Sequence, residues 1–257
     1  MKSSTAVVTG GGGGIGRAIA AKLTESHRHV VLVDTNKDET HAVADMLGKE
    51  RASPIICDIT DNHQVQEMAR KALSTGPVCT LVNNAGATWA GSLQDMSPEV
   101  WKRETTLNLE ASFLCFHAFE ESLKQTRGCV VNIASVNGLS VFGNPAYSAA
   151  KAGLIHLTRA IAVEYGKFGI RANAVAPGTV RTQAWDARFQ ANPRVFEEAM
   201  QWYPLKHVIE PEDVANAVAF LSSEQAAAIT GICLPVDSGL TAGQTCLARS
   251  FSQSQDY

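Results

Sequence analysis

Tyr147 and Lys151 stand four residues apart in the stretch Tyr147-Ser148-Ala149-Ala150-Lys151. On a helix that spacing puts phenol and ammonium on one face. A free phenol ionises at a pKa of about 10, too high for a base at neutral pH. A fixed positive charge beside it favours the phenolate and brings the value toward working pH. Such a pair is suited to moving a proton on or off an alcohol oxygen, as a general acid/base does. Taken alone, the spacing fits a surface helix equally well, so the surrounding elements must decide.

The N-terminal stretch supplies a second chemical feature. TAVVT at 5–9 is short, β-branched and apolar, as a buried parallel strand should be. Gly10 to Gly14, Ile15 and Gly16 follow, and then a helical pattern, RAIAAKLTES. A glycine loop between strand and helix lets the backbone approach a pyrophosphate at the helix N-terminus. The next predicted strand, HVVLVD, ends in Asp34. A carboxylate there accepts hydrogen bonds from the adenosine ribose and repels a 2′-phosphate. No basic residue stands in the glycine loop and Thr35 follows the aspartate, so NAD is expected rather than NADP. Asp34 is alternatively a cap for the helix from Asn36.

The strand–helix alternation continues. Helices are predicted over 37–50, 61–74, 97–124, 146–165 and 211–222, and strands over 53–57, 78–83, 129–135, 170–177 and 232–237. This pattern predicts an α/β fold: a Rossmann-type, doubly wound, seven-stranded parallel sheet with helices on both faces, in a single domain. The polar candidates fall at strand C-termini, where such sheets bind ligands. Asp58 could meet an adenine edge or simply make a turn. The run Asn83-Asn84-Ala85-Gly86 suits close backbone approach, or a plain turn. Asn108 lies mid-helix, where it is either functional or a satisfied core amide. The segment 179–208 shows no strand pattern and reads as a substrate lid. The tail 244–257 is polar and is expected to fray.

Composition narrows the classes. The 257 residues are 45% apolar and 18% charged, with a formal charge of −3 and no basic run. These values fit a soluble globular enzyme and point away from nucleic acid. MKSSTAVVTG runs straight into a strand rather than a signal peptide, and no apolar run is long enough to span a bilayer. Cysteines 57, 79, 115, 129, 233 and 246 are scattered, without ligand spacing. The expectation is a reduced, cytoplasmic chain with no metal and no membrane partner.

Taken in order, these motifs resemble the short-chain dehydrogenase/reductase family across essentially the whole chain. The TGxxxGxG loop stands as Thr9-Gly10 through Gly14-Ile15-Gly16, NNAG at 83–86, and Pro177-Gly178 with Thr182 after the sixth strand. The family's Asn, Ser, Tyr and Lys match Asn108, Ser135, Tyr147 and Lys151, and its late ITG…VDSG segment matches 229–239. The resemblance implies that Tyr147 transfers the proton and Ser135 holds the substrate oxygen. Lys151 would bind the nicotinamide ribose and lower the Tyr147 pKa, and Asn108 would hold a water leading from Lys151 to solvent. Cofactor contacts are implied at Gly10, Gly14, Ile15, Gly16, Asp34, Asp58, Ile59, Asn84, Ala85, Gly86, Tyr147, Lys151, Pro177, Gly178, Val180 and Thr182. Hydride would pass directly between substrate carbon and nicotinamide, without a metal. The resemblance also implies a homotetramer or dimer, packed through the helices near 99–124 and 146–165.

The lid carries Arg181, Gln183, Trp185, Asp186, Arg188, Trp202, Tyr203, Lys206 and His207, and Trp89 and Asn137 could extend its wall. Polar donors among aromatics suit a small polyhydroxylated substrate. The expectation is an NAD-dependent oxidoreductase acting on a secondary alcohol, such as an aldose at C1 or a polyol. A 3-oxoacyl-thioester reductase is the second reading, and a non-catalytic nucleotide sensor on the same fold the third.

Overall fold

Continuous β-branched runs with no polar face are what a sheet covered on both sides requires. TAVVT and HVVLVD are the clearest, and the seven strands are β1 (Thr5–Thr9), β2 (His29–Asp34), β3 (Ala52–Ile56), β4 (Val78–Asn83), β5 (Cys129–Ile133), β6 (Arg171–Pro177) and β7 (Cys233–Val236). The computed structural model describes residues 4–183 and 186–256, the side chains of 186–188 excepted. The strands all pair in parallel, in the order β3-β2-β1-β4-β5-β6-β7. The reversal between β1 and β4 opens the crevice at their C-terminal ends where such sheets take ligands.

Around the sheet lie α1 (Gly14–Leu23), α2 (Lys37–Leu47), α3 (Asn62–Leu73), α4 (Pro98–Thr105), α5 (Ala111–Thr126) and α6 (Pro145–Tyr165). The C-terminal third adds α7 (Asp186–Ala191), α8 (Val195–Met200), α9 (Pro211–Ser222) and α10 (Thr245–Ser252). Strand residues alternate between two cores. Val30 and Leu32 of β2 join Ile19 and Leu23 of α1 and Val214 and Val218 of α9 on one face. Val31 and Val33 join Met68 of α3 and Phe119 of α5 on the other. Among the described residues, no helix is long and apolar enough to cross a membrane, and all six cysteines are free thiols.

The structure departs from the sequence reading at several ends. The helix predicted over 37–50 stops at Leu47, because Gly48 turns the chain with φ +91°. The helix predicted over 97–124 runs from Pro98 to Thr126, but a π-helical turn, Thr106–Glu110, separates α4 from α5. Ser135 lies beyond the end of β5, where its Oγ accepts from the Asn137 N–H at 3.2 Å and starts a short 3₁₀ turn. Within the polar tail 244–257, residues Thr245–Ser252 form the exposed α10.

A buried polar chain ties the middle of the sheet to α6. Asn83 Nδ2 donates to Asn132 Oδ1 at 2.8 Å, and Asn132 Nδ2 donates to Thr158 Oγ1 at 2.8 Å. Replacing Asn132 with Ala removes both bonds, leaving Asn83 Nδ2 with Ser112 O at 3.4 Å and Thr158 Oγ1 with Leu154 O at 2.8 Å. We expect a loss of about 2 kcal/mol from the two buried hydrogen bonds, to be read as a lower urea midpoint with an unchanged m-value.

Candidate active site

The glycine loop leaves β1 and packs against the end of β4. Thr9 Oγ1 accepts from the Asn84 and Ala85 N–H groups at 3.0 and 3.1 Å, and Asn84 Nδ2 donates to Thr9 O at 2.9 Å. Gly10 has φ +65°, and a Cβ there would lie 2.7 Å from Asn84 Nδ2. A Cβ on Gly16 would lie 1.9 Å from the Gly10 carbonyl oxygen. Neither position accepts a side chain without moving backbone. Gly16 therefore acts as packing beneath the loop and does not line the cavity. At the start of α1 the N-cap Gly13 offers no side-chain hydrogen bond, so the first N–H groups and the positive end of the helix dipole are free to meet an anion.

A cleft of about 1620 Å³ extends from this loop, lined by Gly10, Gly14, Ile15, Asp34, Asn84, Ala85, Gly86, Ser135, Tyr147, Gly178 and Thr182. Asp34 occupies its far end: Oδ2 accepts from the Gly12 N–H and Oδ1 from the Asn36 N–H, both at 3.1 Å. The cap of α2 is Asn36, which accepts from the Glu39 N–H, so Asp34 is not the cap. Glu39, which the sequence reading passed over, also lines the cleft there. The uncapped glycine loop, the acidic end and the side-chain-free approach at Gly86 fit a nicotinamide dinucleotide. Four further expected contacts are not among the residues lining the cleft. Asp58 is exposed and closes its own turn, Oδ1 accepting from Thr60 N–H at 2.9 Å and Thr60 Oγ1 at 2.7 Å. Ile59 is buried in the core. Pro177 and Val180 are likewise buried rather than lining the cleft.

The four expected catalytic side chains converge. α6 starts with Pro145 in its first turn and presents Tyr147 and Lys151 to the cleft end of β5. Lys151 is 2% exposed; its Nζ donates to Ile133 O at 2.8 Å and lies 5.4 Å from the Tyr147 ring centroid. Asn108, fully buried, donates through Nδ2 to Ala87 O at 2.7 Å and to Glu104 O at 2.9 Å. That second bond spans the junction between α4 and the π-helical turn. Asn108 Oδ1 has no partner among the described residues. It lies 2.6 Å, and Lys151 Nζ 3.3 Å, from where a Gly86 Cβ would stand. An acceptor and a cationic donor thus frame one side-chain-free spot, room suited to a small polar bridge.

Burial dominates the electrostatics of the pair. It raises the Tyr147 pKa above its usual value; hydrogen bonding to Ser135 opposes this and the charge of Glu104 adds to it. Burial also lowers the Lys151 pKa to about 7. The buried ammonium penalises folding at neutral pH. That penalty fades as pH rises from about 7 toward the unfolded lysine value, since only the unfolded chain then keeps the proton.

The substrate end is built from three separated segments. Asn137, Leu139, Ser140, Val141, Phe142 and Asn144 form one wall, Gln201, Trp202 and Tyr203 a second, and Leu240 to Cys246 a third. Tyr203 is 2% exposed, and its hydroxyl accepts from the Thr179 N–H at 2.9 Å. Trp89 does not line the cleft; the Arg103 guanidinium covers its ring at 3.8 Å. Arg181 pairs with Glu210 at 3.2 Å and stacks on Phe196, away from the cleft. His207 pairs with Asp213 at 3.1 Å. Trp185 and the Arg188 side chain lie outside the described residues. Among those described, no group of three His, Cys, Asp or Glu is placed to hold a metal.

Comparison with known proteins agrees with this fold. Residues 10–241 match the family model described as enoyl-(acyl carrier protein) reductase. The chain is 38% identical, over 100% of its length and 98% of the other's, to an uncharacterised oxidoreductase of Schizosaccharomyces pombe. It is 37% identical to the meso-2,3-butanediol dehydrogenase of Serratia marcescens, covering 92% and 94% of the two chains. A solved oxidoreductase of Burkholderia thailandensis, titled as short-chain dehydrogenase/reductase family, superposes with TM-score 0.93 at 40% identity over 99% of both chains.

If the Tyr147 phenol carries the reacting proton, Tyr147→Phe should cut turnover at least 100-fold, the lower end of general-acid contributions. Cofactor affinity, measured by fluorescence titration, should hold within a few-fold. Because the phenol is held protonated, alcohol oxidation should climb as pH rises above neutral while ketone reduction persists at neutral pH. Parallel initial-rate profiles check this.

Proposed function

The chain belongs to the short-chain dehydrogenase/reductase family, and we propose that it is an NAD-dependent dehydrogenase of small secondary alcohols, a polyol or a sugar before others. The observation carrying this reading is the convergence of Ser135, Tyr147, Lys151 and Asn108 at one end of a cleft whose other end is Asp34. In alcohol oxidation, Tyr147 Oη takes the hydroxyl proton as hydride leaves the same carbon; in ketone reduction it returns that proton. Ser135 Oγ holds the substrate oxygen against the phenol. Lys151 binds the nicotinamide ribose, and Asn108 Oδ1 carries the proton path onward toward solvent. Gly10, Gly14, Ile15, Asn84, Ala85, Gly86, Gly178 and Thr182 would hold the dinucleotide, which when bound supplies or accepts the hydride. Asp34 and Glu39 together disfavour a 2′-phosphate.

Substrate size is set by the mouth. Asn137, Asn144, Gln201, Gln244 and Thr245 offer polar atoms around Phe142, Trp202 and Tyr203, a mixed wall suited to a compact hydroxylated molecule. Residues 179–208 act as the lid over it. The thioester reading has its own support, the apolar rim of Leu139, Val141 and Phe142, of which Val141 is 90% exposed. We also read the chain as a cytoplasmic homo-oligomer. The apolar Phe113 of α5 and Val163 of α6, 48% and 82% exposed, support packing against a second copy.

NADH formation with diols, polyols, aldoses and 3-hydroxyacyl thioesters, each with NAD and NADP, tests this reading. Turnover of a diol, polyol or sugar with NAD is expected; activity confined to thioesters or to NADP would overturn it. Asp34→Ala with Thr35→Arg should raise the NADP/NAD ratio of kcat/KM by at least 10-fold, the effect of about 1.4 kcal/mol.

A further inference from the structure

Asn137 borders the cleft, yet its side chain is engaged with protein partners. Nδ2 donates to Gly143 O at 3.0 Å and to Ser148 Oγ at 3.2 Å, which occupies both amide hydrogens. A carbonyl only accepts, so the amide nitrogen must face Gly143 and Oδ1 must face Ser135. Ser135 Oγ donates to that oxygen at 3.3 Å and accepts from the Asn137 N–H at 3.2 Å. With its proton on Asn137, the Ser135 hydroxyl has only a lone pair left for anything in the cleft.

The frame behind this contact is rigid. Asn137 sits in the 3₁₀ turn Val136–Gly138, whose Val136 is buried. A Cβ on Gly138 would lie 2.8 Å from the Lys151 carbonyl carbon, so the turn lies directly against the backbone of α6. Beyond it the chain leaves for the exposed rim of Leu139, Val141 and Phe142. Closing that rim does not account for the amide, because Ser148 Oγ donates to the same Gly143 carbonyl at 2.7 Å. It also gives no reason for an acceptor oxygen turned back on Ser135.

The reacting oxygen supplies one. As hydride reaches a ketone carbon, the oxygen gains negative charge and calls for a second donor beside the Tyr147 phenol. Ser135 can be that donor only if its O–H swings off Asn137 Oδ1; the proton stays on Ser135 throughout. The bond given up is neutral and, at 3.3 Å, longer than the usual O–H···O range. A neutral ketone oxygen gains little from the exchange, whereas a charged one gains a bond about twice as strong. An interaction made mainly in the transition state raises kcat without tightening substrate binding.

We propose that Asn137 is a positioning residue that acts through Ser135: it fixes the hydroxyl in place and keeps its proton on a weak acceptor until charge develops on the substrate oxygen. The proposal rests on the reading of Ser135 as the group that holds that oxygen.

A double-mutant cycle of Ser135→Ala and Asn137→Ala tests it. The probe is whichever diol, polyol, aldose or 3-hydroxyacyl thioester the wild type oxidises fastest, with single-turnover NADH formation for slow variants. Asn137→Ala should lower kcat by about 10-fold, the effect of one hydrogen bond, with KM unchanged or lower. Added to Ser135→Ala, the same change should cost less than about 2-fold, since the group it acts through is gone. Asn137→Leu, nearly isosteric, repeats both comparisons should alanine loosen the rim. Ser148→Ala, which removes a rim contact alone, should leave kcat nearly unchanged. Losses at 135 and 137 that multiply would overturn the proposal. So would a raised KM at unchanged kcat in Asn137→Ala, the pattern of a direct substrate contact. A Ser135→Ala enzyme as fast as wild type would instead sink the reading of Ser135 beneath it.

Discussion

An ammonium held at 2% exposure against a single backbone carbonyl is the constraint around which this molecule is arranged. Desolvating a lysine is unfavourable unless something else is gained, and Lys151 is placed by elements far apart in the chain. β5 delivers the Ile133 carbonyl, α6 delivers the side chain, and Gly86 at the end of β4 leaves the space beside it. Asn108 reaches the same space from the junction of α4 and α5. Each element is held by its own core contacts, so the cost of the buried charge is spread over the whole sheet.

The second determinant is the close approach of two backbone segments at the topological switch. The β1–α1 loop and the β4 end meet through Thr9 and Asn84, and only side-chain-free positions permit it. That contact lets one cleft reach both the open start of α1 and Tyr147. The π-helical turn plays a comparable part in α4–α5. It carries Asn108, whose buried amide nitrogen bonds two backbone carbonyls while its oxygen stays unengaged among the described residues.

Much of this was legible in the sequence because it rests on local pattern. The β-branched runs of β1 and β2, the glycine loop and the Tyr/Lys spacing each encode their structure within a few residues, and the order of elements then dictates a parallel sheet. What escaped depends on distant neighbours. Asp58 is the exception, for it makes the local turn with Thr60 that the sequence also allowed. Trp89 looked like a wall residue until Arg103, which is remote in sequence, covered it. Glu104 reads as an ordinary helical glutamate but is fully buried, and burial has no signature in spacing. The raised pKa of Tyr147 escaped for the same reason: its proximity to Lys151 was readable and its desolvation was not.

The helix closing the cleft mouth, α10, buries none of its residues, although Thr245 and Cys246 line the cavity. A wall element without core contacts is under almost no folding constraint, so its side chains can change without unsettling the sheet or the proton-transfer group. Reactivity and selectivity therefore reside in separable parts of the chain. Those parts answer to different pressures: packing governs the first, and little beyond the shape of the incoming molecule governs the second. Such a division gives a single catalytic frame the freedom to serve many substrates through changes confined to its last few turns.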